Sequence, residues 1–415
     1  EKDTLGEQPM AQNSSQQEDV ASLASGFENA TGEQSLGSDG RSRLLMLGAK
    51  RSGKTSIIQV VFQKMSPHET LFLDPTAGLE ITDVSNSAFV QLQILDFPGG
   101  YDFSDGKLRP EVVFKHDAAI VFVIDQQDGQ EDLAAVEHFL DVARLAHMVN
   151  PKLSIDVLIH KVEIDSDSYH DDLNERVRHI RQVIIEQLRE EQLDIHPTFH
   201  LTSIYDHTIF EAFSRIVQKR VPQTSQLEKI LSGLVENSRV EKAYVFDVIS
   251  KIYIATDNSD LDHFYELCSD AIDVVIDVSR IYSVSKDSKG ASGEGGSIFP
   301  YDSKSGVVIR MENNYVLHLR EVDSFLALVC FMRNDPQINQ GLLEYNFDSF
   351  KKAVAEVKAR SIASLRSGGT RGGGTATTKG SVRSSNNIGP GGVADMKFSD
   401  STTKKGRRED ESKLR

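Results

Sequence analysis

Apolar and polar positions follow one another along this chain in two different rhythms. From Arg43 to about Val221, short apolar runs are separated by stretches of helical period. The runs RLLMLG (43–48), AFVQLQILD (88–96), AAIVFVID (118–125), LSIDVLIH (153–160) and TFHLTS (198–203) predict strands. Apolar residues recur at helical spacing in EDLAAVEHFLDVARLAHMV (131–149) and HDDLNERVRHIRQVIIEQLREEQ (170–192). Strands alternating with helices predict a mainly parallel sheet with helices on both faces.

From about Ser225 to Arg360 the rhythm changes. A helix over 225–239 precedes two adjacent strands in KAYVFDVISKIYIATD (242–257). Next comes a long amphipathic helix, LDHFYELCSDAIDVVIDVSRIY (261–282). Three strands follow, GVVIRME (306–312), NYVLHLRE (314–321) and SFLALVCFMR (324–333), then a last helix near 340–360. This is the pattern of an α+β unit with an antiparallel sheet. Two features exceed what such a unit requires. The apolar arc of the 261–282 helix (Leu261, Phe264, Leu267, Cys268, Ile272, Val275, Ile276 and Tyr282, with Val274 and Val278) is wider than one sheet-facing side needs. SFLALVCFM is nearly continuous where a one-sided antiparallel strand alternates. Both excesses fit either internal core or a surface that joins a second chain.

The chain is therefore read as four segments. Residues 1–40 are acidic, rich in Ser, Gln, Glu and Gly, without periodicity, and expected to be a disordered tail. Residues 41–222 and 223–360 form two domains. Residues 361–415 are Gly/Ser-rich and mildly basic, a second expected disordered tail, and 283–305 reads as a flexible insert.

Composition narrows the function classes. The 415 residues are 39% hydrophobic and 26% charged, ordinary for globular domains, and the net charge of -16 argues against general nucleic-acid binding. No run of apolar residues is long enough to span a membrane. The opening EKDTLGEQPMAQ shows no secretory signal pattern. The cysteines, Cys268 and Cys330, lie among apolar neighbours and read as buried, reduced thiols. His196 and His200 are four apart, but Pro197 between them argues against a helical metal pair.

Candidate chemistry concentrates in the first domain. GAKRSGKT (48–55) fits G-x-x-x-x-G-K-[ST], follows the strand 44–47 and opens a helical stretch, SIIQVVFQKM. That context makes it a phosphate loop. Its amides can wrap phosphates at a helix N-terminus. Gly48, Arg51, Ser52, Gly53, Lys54, Thr55 and Ser56 are the candidate contacts. Lys54 is expected at the β- and γ-phosphates and the Thr55 hydroxyl on Mg²⁺. LQILDFPGG ends a strand at Asp96, a candidate Mg²⁺ contact, and continues D-x-x-G to Gly99, whose amide can sense a γ-phosphate. Between them, LFLDPTAGLEI offers Thr76 as a switch threonine on Mg²⁺, with Thr70 and Thr82 as competitors.

IHKVE (159–163) ends the next-to-last parallel strand. A carboxylate there can accept both guanine donors, N1–H and N2–H₂, whereas adenine presents an acceptor at N1. Glu163 is the expected reader, with Asp165 and Asp167 as substitutes. Lys161 can lay its stem across the purine. His160 can stand in for asparagine as the donor that ties this loop to the phosphate loop. In LTSIYD (201–206), the amide after Ser203, that of Ile204, is placed to bind the guanine O6.

Taken in order, RSGKTSI, SNSAFVQLQILDFPG, IHKV, LTSIYDHTIFEAFS and SRVEKAYVFDVISKIYIATD…YELCSDAIDVVIDVS resemble the Rag GTPases, C/D branch, and the similar Gtr-type GTPases of fungi, over about residues 42–360. The resemblance implies an α/β P-loop GTPase domain followed by an α+β roadblock/longin-like domain. It implies GTP/GDP and Mg²⁺ as ligands and a heterodimer with a Rag A/B-type GTPase. It further implies docking on a lysosomal or vacuolar scaffold complex, relay of amino-acid sufficiency to the TOR kinase complex, and a cytoplasmic chain held peripherally at that membrane surface, with the nucleus as a further location. Two departures stand out: the family's base loop ends in Asp where this chain has Glu163, and glutamine follows D-F-P-G where this chain has Gly100. No catalytic side chain is assigned. Gly100 keeps open a nucleotide-binding scaffold that no longer hydrolyses GTP, and a P-loop ATPase or kinase is the more distant alternative.

Overall fold

The computed structural model describes residues 41–85, 87, 89–105, 108–114, 118–127, 132–162, 170–257, 264–282 and 306–368. The tail 1–40, residues 369–415 of the second tail, the 283–305 insert and the run 163–169, which holds Glu163, Asp165 and Asp167, lie outside the described residues. Residues 361–368, expected to belong to the disordered tail, instead continue the last helix, Gln340–Gly368, because its hydrogen-bonded turns run on past Arg360. The chain separates into two compact units at Arg220 and Val221, with the short stretch Ser87–Phe89 grouping with the second.

The first unit is built on six strands: β1 (Ser42–Gly48), β2 (Glu80–Val84), β3 (Leu92–Asp96), β4 (Ala118–Asp125), β5 (Ser154–His160) and β6 (Thr198–Thr202), ordered β2-β3-β1-β4-β5-β6. All neighbours are parallel except β2, which runs antiparallel to β3. The core strands β1 and β4 are buried along almost their whole length, which explains their continuous apolar sequences. The helices are α1 (Lys54–Gln63), α2 (Pro110–Val113), α3 (Asp132–Val149), α4 (His170–Glu190) and α5 (Thr208–Gln218). Leu45, Leu47, Ile120, Phe122 and Val157 pack in one cluster with Phe139 of α3 and Ile184 of α4. Leu44 and Met46 alternate to the opposite face and are equally buried. On α1 and α5, Phe62 and Phe213 meet edge to face at 5.4 Å.

Three features depart from the sequence pattern. Strand β2 was not expected, because its side chains are mostly exposed, Ile81 at 47%, and an edge strand held by backbone bonds on one side leaves no apolar alternation. The predicted strand 88–96 begins only at Leu92; Val90 is buried yet stands outside the ladder. The helix α5, with Ile209, Phe213 and Ile216 on its buried side, was likewise not separated from its flanks.

The second unit contains α6 (Thr224–Ser238), β7 (Lys242–Asp247), β8 (Tyr253–Thr256), α7 (Tyr265–Tyr282), β9 (Gly306–Arg310), β10 (Tyr315–Asp323), β11 (Leu326–Arg333) and α8 (Gln340–Gly368). Its sheet is antiparallel throughout, in the order β8-β7-β11-β10-β9. Strand β11 is central, and Leu326 through Met332 are buried by this chain alone. Its continuous apolar run is therefore internal core and gives no sign of a second chain. On α7, Phe264 at the entry stacks on Phe331 at 4.3 Å, and Cys268, Ile272, Val275 and Ile276 are buried. Leu267, Val274 and Val278 of the same helix stay exposed, at 41%, 51% and 46%. Cys268 and Cys330 are buried free thiols. Among the described residues no helix is long and apolar enough to cross a membrane.

Candidate functional site

Parallel strands place their carboxyl ends on one edge, and in open α/β sheets ligands bind outside that edge. The turns after β1, β3, β4, β5 and β6 all open there. They surround a cleft of about 520 Å³, within the range of small-molecule sites.

The phosphate loop leaves β1 at Gly48 and enters α1 through Gly53. Gly53 has φ +99, and a Cβ there would stand 2.7 Å from the ring of His160, so both backbone and neighbour require glycine. Lys54 is 5% exposed, and its ammonium donates to the carbonyls of Gly48 at 3.1 Å and Ala49 at 2.8 Å. Burial pulls its pKa down to about 8, while Asp96 pulls it back up. Arg51, Gly53, Lys54, Thr55 and Ser56 line the cleft, as does Lys50, which sequence reasoning passed over. Gly48 and Ser52 do not line it; Ser52 is fully buried beneath.

Three oxygens converge beside this loop. Thr55 Oγ1 donates to Asp96 Oδ2 at 2.5 Å, and Thr76 Oγ1 lies 2.6 Å from Thr55 Oγ1. Because the Thr55 proton goes to the carboxylate, Thr76 is the donor to Thr55. Asp96 is 3% exposed and its Oδ1 has no hydrogen-bond partner among the described residues. Burial pushes its pKa up, while the Thr55 hydrogen bond and the Lys54 charge draw it down. A buried carboxylate oxygen without a partner, next to two hydroxyls, is an incomplete polar set that a hard cation would complete. Among the described residues no group of three or more His, Cys, Asp or Glu could hold a metal, and the Thr–Thr–Asp set, with one carboxylate, is of another kind. Of the competing threonines, Thr70 spends its hydroxyl on the Pro67 carbonyl at 2.7 Å, and Thr82 sits within β2 opposite Ile94. Gly99 lines the cleft; a Cβ on it would stand 2.2 Å from Lys50 Cα.

At the other end, β5 delivers His160 and Lys161. His160 is 1% exposed; its Nδ1 lies 3.0 Å from Thr202 Oγ1, and its ring edge rests on Gly53. The tie to the phosphate loop is thus a packing contact, while the hydrogen bond goes to β6. Lys161, at φ +62, donates to the Arg51 carbonyl at 2.9 Å and to Asp125 Oδ2 at 2.5 Å. Asp125 escaped sequence reasoning, although it ends VFVID as Asp96 ends LQILD. Ser203, Ile204 and Tyr205 line the cleft. The Ser203 amide is occupied by Thr208 Oγ1 at 2.9 Å. Gln127 and the apolar wall of Leu71, Leu73 and Pro75 were also unforeseen, because nothing in their local spacing marks them.

A glycine-bordered phosphate loop, a buried lysine and a hydroxyl–carboxylate set at the carboxyl edge of such a sheet define a P-loop nucleotide-binding domain of the G-protein type. The conserved region described as "Gtr1/RagA G protein conserved region" matches residues 43–272. The chain is 49% identical over 317 residues to Ras-related GTP-binding protein D of Mus musculus, covering 76% of this chain and 68% of that protein. It is 46% identical over 329 residues to Ras-related GTP-binding protein C of Homo sapiens, covering 79% of each. It is 44% identical over 317 residues to GTP-binding protein gtr2 of Schizosaccharomyces pombe, covering 76% of this chain and 97% of that protein. The chain belongs to the Rag GTPase family, on its C/D branch, and is a GTP-binding regulatory protein with a GTPase fold.

The buried histidine makes the fold acid-sensitive. Burial, reinforced by the Lys161 charge, lowers the His160 pKa from 6.5 to about 4. The unfolded chain therefore takes up a proton first as pH falls. Stability is full above pH 6.5 and is lost as pH drops toward 4, by on the order of 3 kcal/mol for such a shift. His160→Asn should lose less stability than wild type between about pH 7 and about pH 4.5 in denaturant titrations. His318 of the second unit, also drawn down to about 4, contributes equally to both proteins. Identical acid losses in the two proteins would disprove this assignment.

Proposed function

We propose that this chain is a magnesium-dependent guanine-nucleotide switch with slow intrinsic hydrolysis, acting as half of a heterodimer. The observation that carries the reading is the unpartnered Asp96 Oδ1 beside the Thr55 and Thr76 hydroxyls, next to the buried Lys54. Lys54 binds the β- and γ-phosphates. Thr55, Thr76 and Asp96 would hold Mg²⁺, which when bound offsets phosphate charge. Lys161, fixed by Asp125 and the Arg51 carbonyl, presents its stem to the purine. The Ile204 amide faces the guanine O6, and Glu163 accepts the two guanine donors, with Asp165 or Asp167 as its substitutes.

Nucleotide choice tests this directly. GTP should bind far more tightly than ATP. Glu163→Ala should weaken GTP by about 2–5 kcal/mol, the cost of breaking a buried charged hydrogen bond, or roughly one to three orders of magnitude. Equal wild-type affinity for GTP and ATP would sink the reading.

Slow hydrolysis rests on Gly100. Related GTPases use a glutamine at this point to orient the attacking water. Gly100 offers no side chain, and this favours the second reading, a scaffold subunit that binds nucleotide without hydrolysing it. Among the described residues no atom lies within 4 Å of a Cβ added there, although its φ of +67 costs a larger residue about 1–2 kcal/mol. Gly100→Gln should therefore fold and hydrolyse GTP faster in single-turnover assays. An unchanged rate would count against the glutamine argument, and no turnover in either protein would favour the scaffold reading.

The second unit is read as a roadblock/longin-like domain that pairs with a Rag A/B-type GTPase. Support comes from Leu267, Val274 and Val278, left exposed on α7, and from the kinship with Gtr1-type and Rag A-type proteins. An obligate interface buries more than about 2,000 Å². By family, the heterodimer docks on a lysosomal or vacuolar scaffold and relays amino-acid sufficiency to the TOR kinase complex. The 225–360 fragment should capture such a partner without nucleotide. A stable soluble monomer in sedimentation that ignores the partner would overturn the pairing.

A further inference from the structure

The turn after Asp96 is held from behind as well as from the cleft. Phe97 is fully buried, and Phe97, Tyr101, Phe103 and Phe114 make successive ring contacts at 5.2, 4.9 and 5.2 Å. These fix aromatic side chains. They do not fix the backbone of Gly99 and Gly100, which have no side chains to pack and wide conformational freedom. Two hydrogen bonds act on that backbone. The Gly100 amide donates to the Gly48 carbonyl at 3.0 Å. On the far side, the Tyr101 carbonyl lies 3.2 Å from His138 Nε2.

His138 belongs to α3, and its ring packs on Phe122 at 5.4 Å. A carbonyl oxygen only accepts, so Nε2 carries the proton and Nδ1 the lone pair. Among the described residues Nδ1 is buried without a hydrogen-bond partner, so a second proton there would find nothing among them to donate to. Burial lowers the pKa of this histidine. The Tyr101 hydrogen bond opposes that shift, the Lys54 charge adds to it, and Asp141 and Asp102 oppose it. His138 is thus a neutral donor, near enough to the phosphate end to feel the charge of Lys54.

We propose that His138 is a positioning residue for the turn that faces the γ-phosphate: through the Tyr101 carbonyl it sets where Gly99 and Gly100 lie over the phosphate loop, and so how well the chain distinguishes GTP from GDP. The turn touches the loop directly, since a Cβ on Gly99 would stand 2.2 Å from Lys50 Cα. With glycine at position 100, discrimination at this turn falls on the backbone, and backbone placement depends on its anchors. Removing the anchor behind Tyr101 frees the turn while leaving Lys54, Thr55 and the base end in place. The inference rests on the reading of Gly99 as a γ-phosphate contact.

The test compares affinities of the full-length protein for GDP and for a non-hydrolysable GTP analogue. His138→Leu keeps an apolar group against Phe122 and removes the donor; His138→Gln restores a donor. The leucine variant should bind GDP as wild type does and lose about two- to twelvefold in affinity for the GTP analogue, the range of one neutral hydrogen bond. The glutamine variant should recover most of that loss. Should the leucine variant not fold, His138→Asn, whose shorter amide falls short of the carbonyl, gives the same comparison. Equal losses for both nucleotides, no loss for either, or a glutamine variant no better than leucine would overturn the inference. Wild-type protein that does not bind the GTP analogue would overturn the nucleotide reading and this inference with it, whereas wild-type binding with an unmoved ratio in the variants overturns this inference alone.

Discussion

The cleft depends on one constraint, the parallel alignment of the strands that carry its residues. Met46 of β1 lies beside Asp96 of β3, Gly48 beside Val123 of β4, Asp125 beside His160 of β5, and His160 beside Thr202 of β6. Shifting any pairing by one residue would turn its side chains to the other face of the sheet. Asp96 would then leave Thr55, or Lys161 would lose Asp125. The buried apolar faces of β1, β4 and β5 hold the register, so the hydrophobic core and the polar cleft are two consequences of the same alignment.

Electrostatics at the phosphate end follow from burial. Lys54 and Asp96 are both nearly inaccessible, and burial drives each toward its neutral form, the lysine down and the carboxyl up. Their mutual attraction offsets only part of this. The ammonium meanwhile rests on loop carbonyls, and one carboxylate oxygen has no partner. An anionic phosphate beside the lysine and a cation beside the carboxylate would restore both charged forms. Displaced titration of paired groups in a cleft is the physical mark of a site built to receive charge.

The second unit shows how position in a sheet decides what a strand sequence means. The run in β11 is uniformly apolar because neighbouring strands flank it and both faces are covered within the same chain. Helix α7 divides its apolar arc: Cys268, Ile272, Val275 and Ile276 face inward, and Leu267, Val274 and Val278 face solvent. Among the described residues the outward portion is the part this unit leaves uncovered.

What the sequence determined by itself was local. The phosphate loop, the D-x-x-G turn, the lysine after His160, the element order of the second unit and the parallel strands of the first follow from residues a few positions apart, where spacing alone dictates backbone geometry. The Rag kinship was legible on the same stretches. Tertiary structure decided the rest. It brought the Thr76 hydroxyl to Thr55, while the Thr70 hydroxyl bonds the Pro67 carbonyl. It joined Lys161 to Asp125 and to the Arg51 carbonyl, 36 and 110 residues away in sequence. It placed His138 behind the Tyr101 carbonyl, 37 residues back along the chain. It also added β2 as an exposed edge strand. Such pairings arise from sheet register and helix packing, which depend on the whole core, and no short window of residues contains the information that sets them.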